Sequence, residues 1–185
     1  MSLFEFLMIM VSIIIGLGIS ELLTGIARFV RRRASTRGYW VHWLLVAIVF
    51  VALLQQWWEF WGFREVTEWD FFGALIMLGG PIGLFLIAHL LFPEPVDSAD
   101  FRDYYYDEMR PVFWLGAATI VVATGLRPII DGGELIRMDN ATSLIGLAGF
   151  TAMALSKNKT LHAVLIPLFL LFLFVDILQF AFVID

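Results

Sequence analysis

Ionisable and amide side chains inside long apolar stretches are the residues of this chain with chemistry to offer, because a charge placed in hydrocarbon is costly and marks a functional candidate. Depth, counted at about 1.5 Å of rise per residue, sorts them into two groups. Glu21, His89 and His42, with the hydroxyls of Ser20 and Thr24 nearby, fall toward one side of a bilayer. A carboxylate, imidazoles and hydroxyls at one level can pass a proton or hold a cation. Asp176, Gln179 and Arg127, with Gln55, Gln56 and Glu59, fall toward the other side. Arg127 lies as far beyond Arg110 as Asp176 lies beyond Lys159, so an Asp176–Arg127 pair that lines or gates an outer polar cavity is expected. Each group also has a purely structural reading. Glu21 and His89 would be hydrogen-bonded between helices with His42 at the interface, and Asp176–Arg127 would be an ion pair that sets helix register.

Other chemistries lack their residues. Cysteine is absent, which excludes disulfides, thiolate metal sites and thiol nucleophiles. No histidine pair has zincin spacing, no Gly-x-Ser-x-Gly elbow occurs, and no strand precedes a Gly-rich phosphate loop. No enzyme activity, catalytic residue, metal site or cofactor is therefore assigned. His42, His89 and His162 all map to one side, so a b-type haem held by two of them is a third-ranked reading.

The elements that must position these residues are long apolar runs. The chain has 185 residues, of which 61% are hydrophobic and 16% charged, against about 45–50% and about 25% in ordinary globular domains. Backbone polar groups must be paired internally in lipid, so spanning runs are helices. Six spans are expected, at Leu3–Ala27, Tyr39–Phe63, Phe71–Phe92, Pro111–Leu126, Ala141–Ser156 and Leu161–Ile184. The fifth is short and carries Gly146 and Gly149, so five spans is the alternative. The first run contains Glu5 and no basic n-region, and reads as a permanent span rather than a cleavable signal.

Charge sets orientation. The first, third and fifth gaps hold Arg28, Arg31, Arg32, Arg33, Arg37, Arg102, Arg110, Lys157 and Lys159; the others hold only Arg64, Arg127 and Arg137. Lys and Arg concentrate in cytoplasmic loops, which places both termini outside. The expectation is thus an all-α, polytopic helical bundle, N-out and C-out. It forms a single transmembrane domain over residues 1–185 with a short interfacial cytoplasmic segment near 93–110. Tyr39, Trp40 and Trp43, then Trp57, Trp58 and Trp61, mark the two interfaces of the second span.

Packing signals follow. Ser12, Gly16, Ser20 and Thr24 recur every fourth residue and stack small side chains on one face, a pattern that lets helices approach closely in lipid. Packing within the chain is the favoured outcome, with a second subunit as the alternative. Gly79, Gly80, Pro81 and Gly83 predict a kink in the third span, and midplane breaks of this kind expose backbone to substrate in transporters. In the loop Pro93–Arg110, Ser98 is the expected cap of a short helix running toward Met109, with Phe101, Tyr104, Tyr105 and Met109 on one face. That helix is expected at the interface, and a protein partner docking there is the functional alternative. The other expected partners are the lipid bilayer and further copies of the chain; the net charge of −5 gives no reason to expect nucleic acid.

Several segments together carry a resemblance: Gly16-Leu-Gly-Ile-Ser-Glu-Leu-Leu-Thr-Gly25 with its Arg-rich tail, Gln55-Gln-Trp-Trp-Glu-Phe-Trp61, Leu91-Phe-Pro-Glu94 and Phe101-Arg-Asp-Tyr-Tyr-Tyr106. Over roughly the first 115 residues the chain resembles an uncharacterised family of small bacterial multi-pass inner-membrane proteins. The resemblance implies a bacterial inner (plasma) membrane location and supplies no activity. On the residues themselves, the leading expectation is a small-solute or ion transporter or channel. A non-transporting membrane subunit or sensor that binds a protein partner is the alternative.

Overall fold

The computed structural model describes residues 3–64, 66, 69–94, 100–125 and 141–180. Helix α1 covers Leu3–Arg32 and α2 covers Trp40–Glu59, continued by a 3-10 turn at Phe60–Phe63. Helix α3 is Phe71–Leu90, α4 is the short Phe101–Asp107, and α5 is Arg110–Ile120, followed by a π turn at Val121–Gly125. Helix α6 is Ala141–Leu155 and α7 is Lys159–Phe180. The all-α bundle is as expected; the six-span count, with its five-span alternative, is not. Among the described residues four helical segments are long and apolar enough to cross a membrane: Leu3–Arg32, Trp40–Phe63, Phe71–Leu90 and Lys159–Leu178.

The remaining two apolar runs form helices of 11 and 15 residues. An apolar composition marks affinity for hydrocarbon, but crossing about 30 Å takes about 20 helical residues, and among the described residues neither run, Arg110–Ala123 or Ser143–Leu155, supplies them. Four spans, like six, are an even number, so the expectation that both termini share one side does not depend on the corrected count. The chain is a multi-pass transmembrane protein with two shorter apolar helices packed among its long ones.

Local sequence explains the helix ends. The Asp70 carboxylate accepts the Gly73 N–H at 2.6 Å and caps α3. Asn158 accepts the Thr160 N–H at 3.0 Å and starts α7. Helix α3 runs through Pro81 without ending, although proline has no N–H to give the carbonyl of Met77, four residues earlier.

Packing pairs α1 with α3, α5 with both α3 and α6, and α2 with α7. Helix α1 turns Leu7, Val11, Ile15, Gly18, Leu22 and Gly25 inward. The Ser12, Gly16, Ser20 and Thr24 ridge therefore lies on the opposite face and is exposed, contrary to the expected packing within the chain. A Cβ added to Gly16 would meet nothing within 4 Å. Ser12 of the ridge is engaged, accepting from Trp57 Nε1 at 3.1 Å. Close approach happens instead at glycines on the inward faces, as where Gly25 lies against the Phe92 ring.

Candidate functional site

At the end of the bundle marked by Trp57, two neighbouring amides on α2 serve different partners. Gln55 turns toward α7, and its Nε2 donates to Asp176 Oδ2 at 2.7 Å and to Glu59 Oε1 at 3.0 Å. One amide nitrogen thereby joins the carboxylates of two helices. The pairing expected for Asp176 was with Arg127, which lies outside the described residues, as does the side chain of Gln179.

Gln56 turns the other way, toward α3. There a cavity of about 20 Å³ is lined by Gln56, Glu59, Phe60, Met77, Gly80 and Ala123, among others. That volume is room for one water-sized guest. The absence of a side chain at Gly80 makes the cavity: a Cβ there would sit 2.9 Å from Gln56 Oε1. Two backbone irregularities meet at this level. The Gly79-Gly80-Pro81 stretch of α3 packs on the π turn of α5, with Gly79 against Val122 and Gly80 against Ala123. Just beyond, Gly83 packs on Thr119. At Gly79 and Gly83 a Cβ would overlap the facing helix, whereas at Gly80 it would meet the end of the Gln56 side chain first. A π turn is a recurrent feature of functional sites.

At the opposite end, marked by Arg28, Glu21 Oε2 lies 3.4 Å from His89 Nδ1. Their side chains are 41% and 54% exposed, so the pair sits on the flank of the bundle and not in its interior. Arg28 on α1 and Glu94, four residues beyond the end of α3, form a second contact at 3.0 Å. Ser20 and Thr24 face outward on the exposed ridge. The structure therefore brings together Glu21 and His89 and leaves His42 elsewhere.

His42 was expected at the interface and is instead fully buried, at 0% exposure. Rings of Trp43, Phe92, Phe101, Tyr104 and Tyr105 surround it at centroid distances of 4.9 to 6.4 Å. Neither ring nitrogen has a hydrogen-bond partner among the described residues. Three of these rings come from α4, whose aromatic face points into the bundle. Phe101, Tyr105 and Met109 of the expected apolar face are buried, with Tyr104 half-buried. The helix is thus a plug in the Arg28 end of the bundle, with its aromatic face buried in protein. Its cap is Asp100, which accepts the Arg102 N–H at 2.9 Å; Ser98 lies outside the described residues.

Hydrogen bonds hold the plug on several sides. Phe101 N–H donates to Arg37 O at 3.0 Å, and Tyr104 Oη donates to Leu90 O at 2.8 Å. The Tyr39 and Tyr106 hydroxyls meet at 2.8 Å, Tyr105 Oη lies 3.0 Å from His162 Nδ1, and Lys157 reaches Asp107 at 2.9 Å. Burial, reinforced by Glu108, pushes the Tyr104 phenol up to about 12. Burial also raises those of Tyr105, beside Tyr106 and Tyr39, and of Tyr106, hydrogen-bonded to Tyr39. The roles of Tyr39, Tyr106 and His162 were not visible in the sequence, because nothing in it says which way α4 turns.

The haem reading finds no support in this geometry. His162 has both ring nitrogens engaged, His89 faces Glu21, and His42 is walled in by rings. Among the described residues no cluster of three or more His, Cys, Asp or Glu side chains is arranged to hold a metal ion. No family model, curated protein or solved structure matches the chain. What is established is a multi-pass transmembrane helical bundle with polar groups gathered at its two ends, one of them closed by an aromatic plug.

Proposed function

We propose that the protein is a transporter or channel for a small solute or ion. One observation carries this reading: the proline-bearing stretch of α3 and the π turn of α5 pack against each other beside a polar cavity. Irregular backbone at membrane depth is tolerated where it is buried in protein or lines a cavity, and transporters place substrate sites at such breaks. Glu21 and His89 would handle a proton or cation at the Arg28 end, and the Gln55–Glu59–Asp176 group would line the path at the Trp57 end. Glu21→Gln in proteoliposomes should abolish the flux that wild type carries. Wild-type vesicles that conduct neither protons nor alkali cations nor small polar solutes above empty vesicles would sink the reading.

The same proposal includes a homo-oligomer in a bacterial inner membrane. Its support is the outward α1 ridge and the open space at Gly16, together with the resemblance described above. Light scattering of the purified protein checks the oligomer: a dimer or larger should fall to a monomer in Gly16→Leu. A partner-binding subunit is the second reading, favoured by the exposed Arg102, Asp103 and Glu108 on the outer side of α4. It predicts no flux and a co-purifying protein released by Asp103→Lys with Glu108→Lys.

A further inference from the structure

The turn that follows α1 draws its positive charge from arginine alone. We infer that Arg31, Arg33 and Arg37 form a docking surface for the headgroup of an anionic phospholipid. The inference does not depend on the transport reading, and lipid binding is measured without flux.

Five arginines and no lysine occur from Arg28 to Arg37. Either residue type satisfies the charge rule that orients a membrane protein, and either complements the carbonyls at a helix C-terminus. Arginine adds a planar fork of donors that fits phosphate oxygens, which a lysine ammonium lacks. Clusters of about four to eight basic residues just beyond a transmembrane helix are a footprint of anionic lipid recognition.

The acids nearby do not neutralise this surface. Glu94 pairs with Arg28 at 3.0 Å and Asp107 with Lys157 at 2.9 Å, while the Asp100 carboxylate caps α4. Asp103 and Glu108 are exposed on α4. Arg31, Arg33 and Arg37 are exposed too, and their side chains have no hydrogen bond or ion pair among the described residues.

The backbone that carries them is held in place. The Ser35 N–H and the hydroxyls of Ser35 and Thr36 all donate to the Arg32 carbonyl, at 2.9, 3.1 and 3.0 Å. The Arg37 carbonyl accepts the Phe101 N–H, which pins the turn to the plug. Guanidiniums on a held turn lose less freedom on binding than the same residues on a loose loop. Depth favours lipid over a free anion. Tyr39 and the exposed Trp40 directly follow the turn, and such rings settle at headgroup level. A phosphate anchored there by acyl chains meets the turn at high effective concentration.

The test uses the full chain in a non-ionic detergent. Phosphatidylglycerol or phosphatidylcholine is titrated in, and bound lipid is counted by native mass spectrometry. The expected result is saturable retention of phosphatidylglycerol in preference to phosphatidylcholine, weakened by salt. Replacing Arg31, Arg33 and Arg37 together by Gln should lower the apparent affinity about a hundredfold, at about fivefold for each charge removed. Replacing all three by Lys keeps the charge and loses the fork, so its affinity should fall between the two. Circular dichroism and a melting curve check that each variant is folded. If the triple Gln variant is not, Arg33→Gln alone should show the loss of about fivefold. Equal retention of the two lipids overturns the site, as does phosphatidylglycerol binding unchanged in the folded Gln variant. Displacement of the lipid by an equal concentration of inorganic phosphate makes a soluble anion the ligand and overturns the lipid assignment.

Discussion

Tyr105 donates its phenolic hydrogen to Nδ1 of His162 across 3.0 Å, because Nε2 of His162 must donate to the carbonyl of Ser156 at 2.7 Å. A carbonyl only accepts, so in the neutral imidazole Nε2 carries the hydrogen and Nδ1 is the acceptor. The two buried side chains thereby lock α4, α7 and the turn before α7 into one unit. Tyr105→Phe keeps the ring contacts and strands Nδ1, and should cost about 1 kcal/mol of stability. Tyr105→Ala empties a fully buried ring site and should cost about 3–5 kcal/mol. Reversible unfolding in mixed micelles gives both values, and equal losses would mean that α4 is not packed as described.

His42 carries the opposite prediction. Two buried ring nitrogens without partners among the described residues are a standing cost, and an apolar replacement of similar shape removes it. His42→Phe should therefore leave stability unchanged or raise it by about 1 kcal/mol. A marked loss of stability would show that the imidazole has a partner, such as a trapped water.

The glycines divide by what faces them. Gly83→Ala drives a methyl into Thr119 and should cost about 1–3 kcal/mol by overpacking, with partial recovery in the double variant carrying Thr119→Ala. Gly16→Ala meets only open space and should gain about 0.5–1 kcal/mol from helix propensity in a monomer. Thermal melts of the three variants in detergent decide between these outcomes; equal losses at Gly16 and Gly83 would mean that the α1 ridge is covered.

The plug should also be sensitive to alkali. Burial and Glu108 raise the Tyr104 phenol from its ordinary value of 10.0 to about 12. Raising a folded-state pKa means that the folded protein holds the proton more tightly. The corresponding stability is complete below pH 10.0 and is lost as pH climbs through about 12. Tyrosinate absorbance recorded alongside protease sensitivity of the Arg37–Arg110 region should show α4 releasing in that window. Tyr104→Phe, which cannot ionise, should delay release, and identical alkaline profiles for variant and wild type would refute the assignment.

Some of this arrangement was legible from residue order. Glu21 and His89 were matched by depth counting along two apolar helices, and they meet at 3.4 Å. The apolar face of α4 was visible in the spacing of Phe101, Tyr104, Tyr105 and Met109. Helix period tells which residues share a face, but not what covers it, so lipid was expected where Phe113, Phe92 and His42 lie. The α1 ridge misled for the same reason: small residues permit close approach without saying whose helix approaches. The fourth and fifth spans were overcounted because hydropathy marks a segment as apolar before its helix is known to be long enough.

The amino-acid order alone determined the solvent, the helical class and the grouping of polar residues at two ends, since each follows from transfer free energy and a fixed rise per residue. Tertiary structure decided which polar groups touch. Only packing could turn Gln55 toward Asp176 and Gln56 toward Gly80, bury His42 among aromatic rings, and place the break of α3 against the π turn of α5. Those relations depend on the rotation of each helix about its axis. That rotation is set by close contacts between neighbours far apart in sequence.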